Sequence, residues 1–333
     1  MDWQGKSIRI GGTVIGCAIL LRLFAGALPG ATFSQKAMST VMFLETGRVL
    51  GSPTAPPTEP PPETEPTVPV DVVPEPSAPK EAVAVFSEDD AALVKVHNVC
   101  GLDTNVAQGL TQTLSWDLTA PAPTVLIIHS HGSESYENTE GYTPSGDYRT
   151  LELPYNVVSI GDRLVQVLET AGIRAVHDRQ IHDNPSYTAA YANARDSIEW
   201  YLEQYPSICL VLDIHRDAVA DSSGQQMKFT VDNGEQAVAQ LMLVVGTDAG
   251  GLTHPHWPDN MSLAVKLHAQ LEKLLPGSCR PISFRSQRFN QDLSPGALIV
   301  EVGAAGNTRQ EALAAVELLG QAITAMAKGT AAE

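Results

Sequence analysis

The stretch VLIIHSHGSESY, Val125 to Tyr136, runs four apolar residues straight into His129, His131 and Glu134. A short apolar run with an abrupt polar end reads as a buried strand. A parallel α/β sheet places its chemistry just beyond the carboxyl ends of its strands. This one segment therefore predicts both a fold class and a place for ionisable side chains.

Working outward, the same pattern recurs. ICLVLDIHRDA (208–218) is an apolar run that ends in Asp213, His215, Arg216 and Asp217, and ALIVEVG (297–303) carries Glu301. IRAVHD (173–178) and QLMLVVGTD (240–248) read as further strands. Between them lie segments with helical spacing: 159–172, 188–205, 259–277 and 308–328. Gly172 suits a helix C-cap and Pro206 a stop. The alternation predicts an α/β domain, a mostly parallel sheet with helices on both faces. No internal repeat is present.

Two zones precede that domain. In residues 1–35, Lys6 and Arg9 lead into IGGTVIGCAILL (10–21) and LFAGALPG (23–30), broken by Arg22. Basic residues before an apolar run place the N-terminus in the cytoplasm and the rest outside. Hydropathy leaves two readings open, an uncleaved transmembrane anchor or a signal peptide cut near AGA (25–27). Residues 36–85 form a Pro-rich extracytoplasmic linker. Eleven of the 23 prolines fall within 51–80, which excludes a helix or a central strand there and predicts an extended spacer. Residues 86–330 are the expected catalytic domain.

The chain has 333 residues, a formal net charge of −17 and a pI near 4.8. Nothing in it would neutralise phosphates, so nucleic acid is excluded as a partner. The four cysteines, Cys17, Cys100, Cys209 and Cys279, form no CxxC pair. A Cys100–Cys279 disulfide and buried free thiols both remain open.

The ionisable groups at the strand ends carry the functional reading. His131 and Glu134 have the H-x-x-E spacing of two metal ligands from one turn, and a distant His215 completes a His/Glu/His set that leaves one zinc position open. Glu301, after a run of apolar residues, is the expected general base. Glu152, before LPYN, is the rival acidic ligand. His129 is expected to support the site or help stabilise an oxyanion, with Arg216 as the other candidate. Asp213 shares a strand face with His215 and is expected to support it. HDRQIHD (177–183) holds His177 and His182 and reads as a loop-stabilising network or a substrate wall. HPHW with Asn260 reads as a substrate rim or a helix entry, and His268 as a surface residue.

VLIIHSHGSESY, HDRQIHD, VLDIHRDA, VVG (244–246), FNQDL (289–293) and LIVEVGAAGNT, in this order over roughly 120–330, resemble the stage II sporulation protein P family. The resemblance implies a membrane-anchored, zinc-dependent peptidoglycan hydrolase, similar to N-acetylmuramoyl-L-alanine amidases and also cutting peptide cross-links. It implies action in forespore engulfment at the mother-cell membrane, beside the stage II sporulation proteins D and M. It favours the uncleaved anchor. By the motifs, His131 and His215 match the zinc histidines and Glu301 the catalytic glutamate. Glu134 is taken as the acidic ligand because it sits within the SES motif and has the H-x-x-E spacing of zinc carboxypeptidases, with Glu152 the alternative that related amidases suggest. Asn290, in FNQDL, joins the supporting or substrate-contacting candidates. The sequence departs from the family at Ser130 and Gly132, where threonines are usual, and at Ala304, where glycine is common. The other readings are a zinc peptidase acting on stem peptides only and a non-catalytic wall-binding scaffold.

Overall fold

The structure is a computed structural model that describes residues 86–114, 116–137 and 142–328. The expected anchor and the whole of the expected linker lie outside the described residues, as does Cys17. Among the described residues no helix is long and apolar enough to cross a membrane.

In chain order the strands are β1 Val96–Asn98, β2 Val125–Ile128, β3 Ala175–His177, β4 Leu210–Asp217, β5 Thr230–Asp232, β6 Ala237–Ala239, β7 Leu241–Gly246, β8 Ile282–Arg285 and β9 Ala297–Ala304. The helices are α1 Val106–Thr111, α2 Val157–Thr170, α3 Ala190–Gln204, α4 Trp257–Leu274 and α5 Arg309–Lys328. All but β5 and β6 form one seven-stranded sheet in the order β1-β8-β7-β9-β4-β2-β3.

Local chemistry sets the helix ends. The Asn156 side chain accepts from Val158 N at 3.1 Å and caps α2, which is worth about 1 kcal/mol. Gly172 follows that helix at φ +85°, a conformation that favours glycine. Thr308 and Glu311 form a reciprocal capping box on α5, at 3.0 and 3.2 Å.

The sheet is mostly parallel, with one reversal. β9, β4, β2 and β3 run parallel to their neighbours, as do β1, β8 and β7, but β7 runs antiparallel to β9. The strand ends therefore do not all share one edge. Those of β2, β4 and β9 do, whereas VVG ends β7 at the opposite edge.

Alternation sorts the side chains between two layers. Val125, Ile127, Leu212, Ile214, Leu243, Val300 and Val302 pack with α2, α4 and α5 in the main core. Leu126, Ile128 and Val211 face the other way, against Ala194 and Ile198 of α3. Helices thus cover both faces, with α3 on the second. By the same alternation Asp213 and His215 of β4, and Glu301 of β9, fall on the α3 face. The expected strands and long helices all form, with ends shifted by a few residues. The short β1, β8 and the β5–β6 hairpin went unread because they lack a periodic run.

His268 corrects the sequence expectation. It is 0% exposed on α4, where Asn260 through Glu272 are all buried. Asn260 is also interior, bonding Gln291 O and Ala297 N at 3.0 Å each, so it fastens the fold rather than rimming a site. Cys100, Cys209 and Cys279 are free thiols.

Candidate active site

The joined carboxyl ends of β2, β4 and β9 gather His131, Glu134, His215 and Glu301. His215 and Glu301 are register partners on adjacent parallel strands, with the register shifting beyond His215. His131 and Glu134 come from the turn after β2, where Glu134 N donates to His131 O at 3.1 Å. The His131 and His215 rings meet edge to face, 5.4 Å between centroids.

His215 sits between two carboxylates. Its Nδ1 lies 3.3 Å from Glu134 Oε2. Its Nε2 lies 2.8 Å from Asp213 Oδ1, but off the line of a hydrogen bond. Burial opposes a charge on His215, yet Asp213 and then Glu134 hold its proton well above the usual range. Asp213 is itself tied to Ser130, from whose N–H and Oγ it accepts at 2.8 and 2.6 Å. Burial works against its ionisation, but His215 and Ser130 keep its pKa at about 2.

Glu134 is 5% exposed. Burial would raise its pKa, but Arg216, His215 and His131 bring it to about 2. Its Oε2 also accepts from Arg216 N at 3.1 Å. His131 is held down at about 4 by burial, then by the charge on His215. Glu301 behaves oppositely. Burial pushes it up to about 8, against His215 and with Glu134 and Asp217 adding to the rise. Its Oε2 is sealed from solvent and has no hydrogen-bond partner among the described residues.

Two imidazoles and a carboxylate are the donor set of a catalytic zinc site. Tetrahedral zinc with ligand bonds near 2.0–2.1 Å holds two donors about 3.3 Å apart, which is the Glu134–His215 spacing. His131 adds a buried Nδ1 with no hydrogen-bond partner among the described residues. Among the described residues no three His, Cys, Asp or Glu side chains converge as a complete metal site. The residues thus fit zinc by donor chemistry and by one ligand pair, with His131 stacked beside them on Tyr187, rings 4.4 Å apart and 11° from parallel.

The remaining candidates are placed around or away from this cluster. Glu152 stands exposed ahead of the 3-10 turn Leu153–Tyr155, while Glu134 touches His215. Arg216 is 3% exposed and held in the interior, its Nε and Nη2 donating to Ser135 O and Tyr148 O at 2.9 and 2.8 Å. His129 is 0% exposed and turned to the α2 side, with Nδ1 2.9 Å from Ile214 O and Nε2 2.8 Å from His177 Nε2. His177 continues to Asp162 at 3.1 Å. His182 pairs with Asp178 at 3.0 Å, and Asp178 also accepts from Gln180 N at 3.0 Å, within the HDRQIHD segment. Asn290 donates to Tyr191 O at 2.8 Å, and the Tyr191 ring in turn lies 5.3 Å from His131 and 6.5 Å from His215.

Three residues at the site, Arg149, Tyr187 and Tyr191, were not singled out from sequence, and Asp183 was read there only as half of the His182–Asp183 pair. Asp183 accepts from Ser133 N and Oγ at 3.1 and 2.5 Å, and lies 3.8 Å from His131 Nδ1. Arg149 pairs with Asp183 at 2.7 Å. Tyr187 and Tyr191 wall His131. The doubled His-Asp pattern was the one signal for Asp183; the others come from loops and a helix start without a pattern.

A profile of the stage II sporulation protein P family matches residues 66–324, and the chain belongs to that family. Stage II sporulation protein P of Bacillus subtilis (strain 168) is 27% identical over 199 residues, 56% of this chain and 47% of that protein. The chain thus spans about half the length of the curated relative it matches. Similar solved structures include the N-acetylmuramoyl-L-alanine amidase AmiC2 of Nostoc punctiforme, 14% identical with a TM-score of 0.37 over 60% of this chain and 94% of that one. The N-acetylmuramyl-L-alanine amidase Ami1 of Mycobacterium smegmatis is 12% identical with a TM-score of 0.39, over 62% and 98%.

Proposed function

We propose that this chain is a zinc-dependent peptidoglycan hydrolase of sporulation that cleaves the amide between N-acetylmuramic acid and L-alanine. The observation that carries the reading is the pairing of Glu301 with His215, beside Glu134 and His131, at one sheet edge. His131, Glu134 and His215 would hold the metal. Zinc, when bound, supplies a Lewis acid and a nucleophile at neutral pH.

The other steps belong to the chain's own residues. Glu301 takes the proton of the attacking water and delivers it to the leaving amine. Burial and the charges of Glu134 and Asp217 hold this carboxyl high, at about 8, and a dication bound beside it would favour the carboxylate that a general base must be. Asp213 fixes the His215 ring, and Ser130 fixes Asp213. Tyr187 and Tyr191 hold the His131 ring between aromatic faces. The apolar segment within 1–35 anchors the chain in the membrane, and the Pro-rich spacer carries the domain to the wall. Stage II sporulation proteins D and M belong to the same reading as partners in engulfment.

The test is mass spectrometry of products from purified peptidoglycan treated with the full chain, with and without a zinc chelator. Release of stem peptides bearing a free L-alanine amine, abolished by the chelator, supports the amidase. Chelator-sensitive cuts confined to the peptide replace it with a stem-peptide or cross-link peptidase. No product from folded, zinc-loaded protein points to a wall-binding scaffold.

A further inference from the structure

We propose that Arg149 is the cation that faces the substrate and stabilises the negative charge developing on the scissile carbonyl oxygen. The inference rests on the hydrolase reading above and assigns a role that this reading leaves open.

Two cations border Glu134. Arg149 Nη2 and Arg216 Nη1 each stand 3.6 Å from its Oε1. They differ in what else they do. The Arg216 side chain is 2% exposed, and its Nε and Nη2 are spent on the carbonyls of Ser135 and Tyr148. Turning it to a substrate would give up both bonds and leave the interior Ser135 carbonyl short of a donor, while that of Tyr148 would keep only its bond from Ser135 N at 2.8 Å. His129 is no substitute. Both of its ring nitrogens are engaged on the α2 side of the sheet, at Ile214 O and His177.

Arg149 has the opposite character. Its side chain is 23% exposed, so part of it reaches solvent. One arm of the guanidinium is anchored: Nη1 donates to Asp183 Oδ2 at 2.7 Å and to Ser133 Oγ at 3.1 Å. The other arm, Nη2, points toward Glu134 at a distance too long for a hydrogen bond. The guanidinium also lies over the Tyr187 ring, 4.6 Å from its centroid. That ring stacks on His131 in turn.

The result is a planar fork held in place on one side and open on the other, next to two of the three expected ligands. A cation fixed before the reaction loses little freedom when charge appears, which is the condition for transition-state stabilisation. Lysine cannot reproduce this. A point charge can keep the Asp183 pair or face the substrate, but it lacks the second arm.

The test compares the zinc-loaded full chain with R149K and R149Q on soluble glycan strands that carry stem peptides. Measurements are kcat, KM, zinc content and melting temperature. The expected result is a fall in kcat of about 100-fold in R149Q, with KM changed by less than about threefold. R149K should keep the fold and the zinc through its pairing with Asp183, yet still lose at least about tenfold in kcat. Unchanged kcat in R149K and R149Q overturns the proposal. So does a change confined to KM, which would make Arg149 a ground-state contact, or a kcat loss that merely follows lost zinc or lost fold. If the wild-type chain hydrolyses nothing, the hydrolase reading itself falls and takes this role with it. An active wild type with active variants removes the Arg149 role alone.

Discussion

His215 of β4 and Glu301 of β9 are register partners, side by side on the sheet face that α3 covers. Their neighbouring strands hold one expected metal ligand and the expected base at a fixed separation. Removing the Glu301 carboxylate should therefore affect proton transfer and leave the ligands in place. E301Q should bind zinc as wild type does and lose about 10²–10⁴-fold in kcat. Zinc content by atomic absorption and turnover on peptidoglycan, measured on the same preparation, check this. Full activity in E301Q would remove Glu301 as the base.

H215A should fail differently. It removes a ligand and leaves Glu134 and Asp213 facing each other without the cation between them. Added zinc should raise the wild-type melting temperature by mass action. The same titration should leave the H215A melting temperature unmoved.

The Asp213 carboxylate is buried between Ser130 and His215. D213N keeps the shape but gives up the charge that balances His215. Breaking one side of a buried pair costs on the order of 3–5 kcal/mol. Urea unfolding of metal-free D213N should show a loss of that order. S130A, which removes one neutral donor, should cost roughly 1–2 kcal/mol.

Gly161 of α2 lies under the His129–His177 pair. A Cβ there would stand 2.6 Å from His177 Nε2 and 2.7 Å from His129 Nε2. Alanine is about 1 kcal/mol better than glycine in a helix interior. Overpacking at this site costs about 1–3 kcal/mol. We expect G161A to be destabilised on balance, and the loss to shrink in the G161A/H177A double variant. A double-mutant cycle in urea reads the coupling, and a stabilised G161A would contradict the close approach.

Buried His268 should make the fold acid-sensitive. Burial holds its pKa at about 4 in the folded chain, against about 6.5 when unfolded. The unfolded state takes up the proton first, so the stability is complete above about pH 6.5 and is lost as pH falls through 4. The full effect is about 3 kcal/mol. H268L should retain more of its stability between pH 6.5 and 4 than wild type, read as the difference in urea midpoints across that range. Equal pH profiles would mean that His268 titrates alike in the folded and unfolded chain, and would remove the effect.

Much of this site was legible in the sequence because apolar runs ending in ionisable groups are costly unless the ends meet. His131, Glu134, His215 and Glu301 are at such ends, and the strands that carry them pair directly. Alternation along β4 also separated His215 and Asp213 from Ile214. What periodicity could not decide is where a side chain goes once its strand has stopped. His129 and His131 are both odd-numbered and follow the same run, yet His129 turns under Gly161 and His131 turns to His215. The chain leaves the strand between them, so alternation no longer applies.

The reversal of β7 against β9 was equally out of reach, since a fully buried apolar run has the same pattern in either direction. Burial of His268 reflects how completely α4 is enclosed, which no single helix sequence states. Arg149, Asp183 and Tyr187 come from separate loops and meet only through ion pairing and stacking in the folded domain. The sequence by itself determined the α/β class, the strands of the parallel half and the ionisable ends that converge there. Tertiary structure alone decided which cation faces outward, because that depends on which carbonyls and carboxylates the fold brings to each arginine.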